Sequence, residues 1–189
     1  MQKFGHFFLK LFGWKVVGNL PTEKKYLVIV APHTSNWDFP VGLFASFAMG
    51  TKIHFLAKKQ LFFFPLGILL RALGGSAVDR SKKGNNVDKV VDLFNRKDSF
   101  RLAITPEGTR GPVTRWKEGF YHIAYKAKLP LSLVALDYAS KEVRISEPFW
   151  PSGDINKDFP IILDYYRGMT GCYPKAIPEY VPHEKNSAS

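Results

Sequence analysis

The chain has 189 residues, 46% hydrophobic and 23% charged, a balance that excludes intrinsic disorder and suits one domain with a real core. Lysine and arginine outnumber aspartate and glutamate by 27 to 16, a net charge of +11 that points to an anionic partner: nucleic acid, an acidic membrane surface or a phosphorylated substrate. The single cysteine, Cys172, excludes an internal disulfide and a cysteine-based zinc cage, and suits a reducing compartment.

In chain order, Phe4, Phe7, Phe8, Leu11 and Phe12 recur at helical spacing with Lys3, Lys10 and Lys15 beside them. A basic amphipathic helix of this kind lies either in a headgroup layer or as a cap on the core. The segment has no long apolar run and no small-residue cleavage site, so it does not read as a signal peptide. Residues 26–31 (YLVIVA) form a continuous apolar run of strand length, the mark of a strand buried on both faces. Residues 39–50 and 61–70 are the most apolar stretches, both shorter than the roughly 20 residues a spanning helix needs. Each reads as a core helix or as an acyl tunnel or interfacial patch, the second with Lys58, Lys59 and Arg71 beside it. Strands are predicted at 52–57 and 76–80, then a helix with Val87, Val90, Val91 and Phe94 on one face, opened by Asn85 or Asn86. A strand at 100–105 and a helix with Phe120, Ile123, Ala124 and Ala127 on one face follow, then strands at 131–138 and 142–146. Asp158-Phe159-Pro160 opens a last helix. From about Tyr173 the chain is rich in proline and then polar, and reads as a loosely ordered tail. This alternation predicts a single α/β domain, a mixed, mostly parallel sheet flanked by helices.

In such sheets chemistry collects beyond the carboxyl ends of strands, where three polar clusters fall. After the first strand, His33 precedes Ser35, a natural N-cap, and Asp38 completes a capping-box-like pattern. With His33 just outside the helix and Asp38 pointing back, the carboxylate meets one imidazole nitrogen and leaves the other free as a base. The same residues also serve as a plain cap and a strand-end histidine. No nucleophile signature accompanies the pair, which suits activation of a substrate hydroxyl rather than a covalent enzyme intermediate. After the strand at 100–105, Glu107, Gly108, Thr109 and Arg110 form a turn with a hydroxyl and a planar cation suited to phosphate, Arg115 and Lys117 nearby. Glu107 is out of place in a pure anion site, and reads as a group that orients Arg110 or bonds an acceptor hydroxyl. The third cluster, Asp79 and Arg80 after a glycine pair, adds a further cation.

Together these residues resemble the lysophospholipid (1-acylglycerol-3-phosphate) acyltransferase family. Its H-x-x-x-x-D is matched from His33 to Asp38, its G-x-x-[FIV]-x-R from Gly75 to Arg80 and its P-E-G-T-R from Pro106 to Arg110. Its late small-apolar-Pro segment is matched by Lys128-Leu129-Pro130-Leu131, so the blocks span roughly residues 26–140 in family order. The resemblance implies transfer of a fatty acyl group from acyl-CoA or acyl carrier protein to a glycerolipid hydroxyl, with His33 as general base held by Asp38. It places Arg110 and Arg80 on the acceptor's phosphate, Glu107, Gly108 and Thr109 in the same pocket, and Pro130 with the acyl chain. It implies no metal and no bound cofactor. It further implies membrane lipids as partners, without nucleic acid, and a peripheral site on the cytoplasmic face of the membrane. The organisation expected is an N-terminal amphipathic, membrane-associating segment (1–20), an acyltransferase domain (21–172) and a C-terminal tail (173–189). Pro32 stands where the family commonly has Asn, and Thr105 where Phe is usual. A lysophospholipid, an aminolipid and other hydroxylated lipids therefore all fit as acceptor. The competing readings are a non-catalytic lipid-binding protein on the same fold and a basic nucleic-acid-binding module, although no nucleic-acid-binding motif is visible.

Overall fold

Apolar runs of strand length settle at the centre of a sheet, because only there are both sets of side chains covered. The protein is described by a computed structural model over residues 1–78 and 86–182. Its strands are β1 (Lys15–Val17), β2 (Lys25–Ala31), β3 (His54–Lys58), β4 (Gly75–Val78), β5 (Phe100–Ile104), β6 (Leu131–Asp137) and β7 (Glu142–Ile145). They form one sheet in the order β1-β7-β6-β2-β5-β3-β4. The five strands β6, β2, β5, β3 and β4 run parallel, β7 is antiparallel to β6, and β1 is parallel to β7. The expected mixed, mostly parallel sheet is therefore present. β1 went unpredicted: three residues at the sheet edge leave no periodic signal. The predicted strand at 76–80 is β4 as far as Val78, and Asp79 and Arg80 lie outside the described residues.

The helices are α1 (Gln2–Leu11), α2 (Asp38–Ala48), α3 (Leu66–Ala72), α4 (Asn86–Asn95), α5 (Gly119–Ala127) and α6 (Ile155–Tyr166). Alternation along β2 divides the core in two. Leu27, Ile29 and Ala31 pack with Phe94 of α4, Phe120 and Ile123 of α5, and Ile162 and Tyr166 of α6. Tyr26 and Val28 point the other way, onto Leu9 of α1 and Ala45 and Ala48 of α2. α2 thus carries the chain from β2 over one face, whereas α5 carries it from β5 over the other. Neighbouring parallel strands whose connections leave to opposite faces open a crevice between their carboxyl ends. That crevice positions the site.

α6 begins earlier than predicted. Asp154 is its N-cap, accepting from the N–H groups of Asn156 and Lys157, so Pro160 lies inside the helix. Asp158 instead sits buried, accepting from the Tyr121 hydroxyl at 2.8 Å and the Ser152 N–H. α1 caps the core on one side. Gly5 and Leu9 are buried, and Gly5 lies so close to α2 that a Cβ there would fall 2.7 Å from the Phe44 carbonyl oxygen. Phe4, Phe7, Leu11 and Phe12 remain exposed on its other side. Residues 61–70 are not a core helix: Phe63, Phe64, Ile68 and Leu69 are exposed, and only Gly67 and Leu70 of α3 are buried. The expected loose tail is, as far as residue 182, packed on the domain. Arg167 pairs with both carboxylate oxygens of Glu179, and the Tyr180 hydroxyl donates to Asn156.

Candidate active site

The chain leaves β2 at Ala31 and enters α2 at Asp38. The Ser35 hydroxyl accepts from the Trp37 N–H at 3.2 Å, and the Asp38 carboxylate accepts from the Ser35 N–H at 2.9 Å. The predicted capping box is only half made, because the Ser35 hydroxyl takes the N–H of Trp37 rather than that of Asp38, and regular helix begins only at Asp38. The same oxygen, Oδ2, also accepts from the Thr34 N–H at 2.8 Å and meets Nδ1 of His33 at 2.8 Å. The other, Oδ1, accepts from the Tyr138 hydroxyl at 2.7 Å. The same carboxylate therefore closes the turn ahead of α2 and holds the imidazole.

Electrostatics follows from that donor set. Burial pushes the Asp38 carboxyl up, but the bonds from His33, Ser35, Tyr138 and Thr34 more than offset it and hold the group below the usual carboxylate range. Tyr138 is pushed well above the usual tyrosine value by burial and then by the Asp38 charge, so it stays a donor. An ionised acceptor opposite Nδ1 assigns the proton of a neutral His33 to that nitrogen and leaves the Nε2 lone pair free. No described residue hydrogen-bonds Nε2, and 19% of the side chain remains exposed.

Beyond β5, Pro106 and Glu107 are buried, while Thr109 and Arg110 are exposed at the loop tip. Gly108 has φ +69°, where a side chain would be strained, and its N–H closes a turn onto the Thr105 carbonyl at 3.2 Å. A Cβ on Gly108 would also fall 2.8 Å from the Lys117 ammonium, so that cation lies over the glycine. Arg115 pairs with Glu118, whereas no described acid pairs with Arg110 or Lys117. The loop tip therefore offers a hydroxyl and two cations.

Glu107 corrects the sequence reading. It does not orient Arg110: Oε2 accepts from the His33 N–H at 2.9 Å and from the Lys175 ammonium at 2.7 Å. Burial pushes its carboxyl above the usual range, and Lys175 and the His33 N–H pull it only part of the way back. The structure thus joins His33 and Asp38 to the 107–110 loop. Arg80 falls outside the described residues. Pro130 is not part of the cluster: it precedes β6, its carbonyl accepts from the Leu27 N–H, and it lies at the amino end of the strands. About six residues of β2 at about 3.3 Å each separate it from His33, some 20 Å.

Two residues of the cluster were missed. Tyr138 follows β6, the other neighbour of β2, and the strand-exit rule applies to it as well. Lys175 sits in a proline-rich stretch 142 positions from His33, and no local signal marks it.

The family assignment agrees with this geometry. Residues 14–137 match the family described as Acyltransferase. The chain belongs to the acyltransferase family. It is similar to the 1-acyl-sn-glycerol-3-phosphate acyltransferase of Saccharomyces cerevisiae, 33% identical over 135 residues, which are 67% of this chain and 43% of that protein. A protein of the same description from Cocos nucifera is 33% identical over 82 residues, 40% of this chain and 27% of its own length. The chain thus spans less than half the length of either relative. Its fold is similar to the crystal structure of the 1-acyl-sn-glycerophosphate acyltransferase PlsC from Thermotoga maritima, with TM-score 0.56 and 22% identity, covering 80% of this chain and 68% of that one.

Proposed function

We propose that this acyltransferase transfers a fatty acyl group from a thioester, acyl-CoA or acyl carrier protein, to the free hydroxyl of a lysophospholipid. The observation that carries the reading is the His33 ring, tied at Nδ1 to an ionised, four-donor Asp38 and left without a described partner at Nε2. Nε2 takes the proton from the acceptor hydroxyl as its oxygen attacks the thioester carbonyl. Asp38 stabilises the imidazolium that forms. The carbon–sulfur bond then breaks, and the thiolate leaves with the proton returned from His33. Arg110 and Lys117 attract the acceptor's phosphate, and Gly108 permits close backbone approach. No step calls for a metal or a resident cofactor, and none calls for nucleic acid.

A lipid acceptor favours a peripheral position on the cytoplasmic face of a membrane. Among the described residues no helix is long and apolar enough to cross one. The exposed Phe4, Phe7, Leu11 and Phe12 of α1, and Phe63, Phe64, Ile68 and Leu69 around α3, suit contact with the headgroup layer. Trp37, 65% exposed two residues after Ser35, brings an interfacial side chain next to the site.

Product identification by mass spectrometry tests the reading. The enzyme is incubated with acyl-CoA or acyl carrier protein donors and a panel of lysolipids with and without phosphate. Diacylated phospholipid as the main product is the expected result. Lipid bound without turnover points instead to a carrier on the same fold. Salt-sensitive binding of RNA or DNA alone points to a nucleic-acid module.

A further inference from the structure

The segment after α6 crosses the carboxyl ends of three neighbouring strands. Beside β6, the Tyr138 N–H donates to the Thr170 carbonyl at 2.8 Å, and the Thr170 N–H to Asp137 at 3.2 Å. Beyond β2, the Tyr173 N–H donates to the Thr34 hydroxyl at 3.2 Å. Gly171 lies against the same Thr34, where a Cβ would fall 2.6 Å from its methyl carbon. The segment ends on Lys175, whose ammonium donates to the His33 carbonyl at 3.2 Å, to Glu107 Oε2 at 2.7 Å and to the Thr109 carbonyl at 3.2 Å.

These three acceptors lie on two loops, the exits of β2 and β5. The Lys175 side chain is only 2% exposed and that of Glu107 is fully buried, so the ammonium faces the protein and not a substrate. A buried carboxylate without a partner is costly, and one beside an anion-binding loop also repels the anion. An ammonium at 2.7 Å offsets part of the first and cancels the charge behind the second.

We propose that Lys175 is a positioning residue of the acyl-transfer site: it cancels the charge of Glu107 and ties the 107–110 loop to the His33 peptide, so that an anionic acceptor meets a net positive loop at a fixed distance from the imidazole. The proposal rests on the acyl-transfer reading above. It accounts for an acidic residue in a loop whose other functional groups attract phosphate. The charged or titratable groups facing Glu107 are Lys175 from this segment, His33 from the β2 exit and Tyr166 from α6.

The test compares wild type, Lys175→Met, Glu107→Gln and the double variant. Two readouts are used: steady-state kinetics with 1-acylglycerol-3-phosphate as varied acceptor, and thermal melts from pH 5 to 8. Lys175→Met is expected to raise the acceptor KM about tenfold or more and to change the donor KM less than about twofold. The double variant, with no buried charge left, should recover the acceptor KM to within about threefold of wild type. A residual loss of kcat should persist for the missing bonds to the His33 and Thr109 carbonyls. In the melts, an acid whose folded pKa is raised binds protons in the folded state, so its stability falls as pH rises. Lys175→Met should therefore lose stability toward pH 8 more steeply than wild type, and the double variant should lose that excess slope. An unchanged acceptor KM, strictly additive losses in the double variant, or no excess slope overturns the proposal. If Lys175→Met does not fold, the double variant decides: folded with a near-wild-type acceptor KM it supports the proposal, and unfolded or with a raised KM it overturns it. A wild type that acylates no lysophospholipid overturns the acyl-transfer reading itself, and the melts still decide whether Lys175 cancels Glu107.

Discussion

Asp38 is the residue on which the site turns. Its carboxylate takes two backbone N–H groups, the imidazole and a tyrosine hydroxyl, and its folded pKa lies below the usual range despite burial. A depressed carboxyl contributes stability that is present above the unfolded pKa and lost as pH falls through the folded one. Asp38→Asn should therefore cost about 1.5–3 kcal/mol at neutral pH, the range for hydrogen bonds to a charged group. The gap to wild type should narrow below about pH 4, where the unfolded carboxyl is already protonated. Denaturant melts from pH 3 to 7 check this, and a gap that does not change with pH contradicts it. Glu107 carries the opposite sign: raised by burial, it makes no such contribution, which is why its partner Lys175 matters.

Between elements, α1 and α2 meet in a close helix-on-helix contact. Gly5 of α1 sits against the backbone of α2 at residues 44–48, and a methyl group there has only backbone to displace. Gly5→Ala should destabilise by about 1–3 kcal/mol through overpacking. kcat should be retained, because the contact lies at the far end of α2 from Asp38; a melt within about 0.5 kcal/mol of wild type contradicts the packing account. Elements of this size also mark what the sequence revealed. Apolar runs disclosed β2, β5 and β6, β5 and β6 each with one polar residue inside, Arg101 and Ser132, since strands covered on both faces keep few polar positions to confuse the reading. β1 and the true start of α6 escaped, one being three residues long, the other capped by Asp154 while the Asp-Phe-Pro signal lay inside it. His33, Asp38 and the 107–110 loop were legible because both ends of each local pattern lie within a few residues. Lys175 was not, because its partners are 66 to 142 positions away and only the finished fold brings them together.

Over the whole molecule, charge and exposed apolar surface act together. A net charge of +11 accompanies exposed phenylalanines on α1 and around α3, with Lys3, Lys10, Lys58, Lys59 and Arg71 exposed beside them. Basic residues near an anionic surface contribute about 1 kcal/mol each, and buried aromatic rings add area-dependent attraction. Flotation with vesicles containing anionic lipid should recover the protein. Phe63→Asp with Phe64→Asp should weaken recovery at least about tenfold, and high salt should weaken it further. Equal recovery with neutral vesicles and with the double variant contradicts a membrane-facing role for this surface.

The proposed function rests on one chemical event at the crevice between β2 and β5, the removal of a proton from an acceptor hydroxyl by His33. The direct measurement is kcat for acyl transfer to a lysophospholipid by wild type and His33→Ala, with circular dichroism to establish that both are folded. Loss of a general base predicts a fall of about 10²–10⁴-fold. A folded His33→Ala protein that keeps more than about a tenth of wild-type kcat would contradict it.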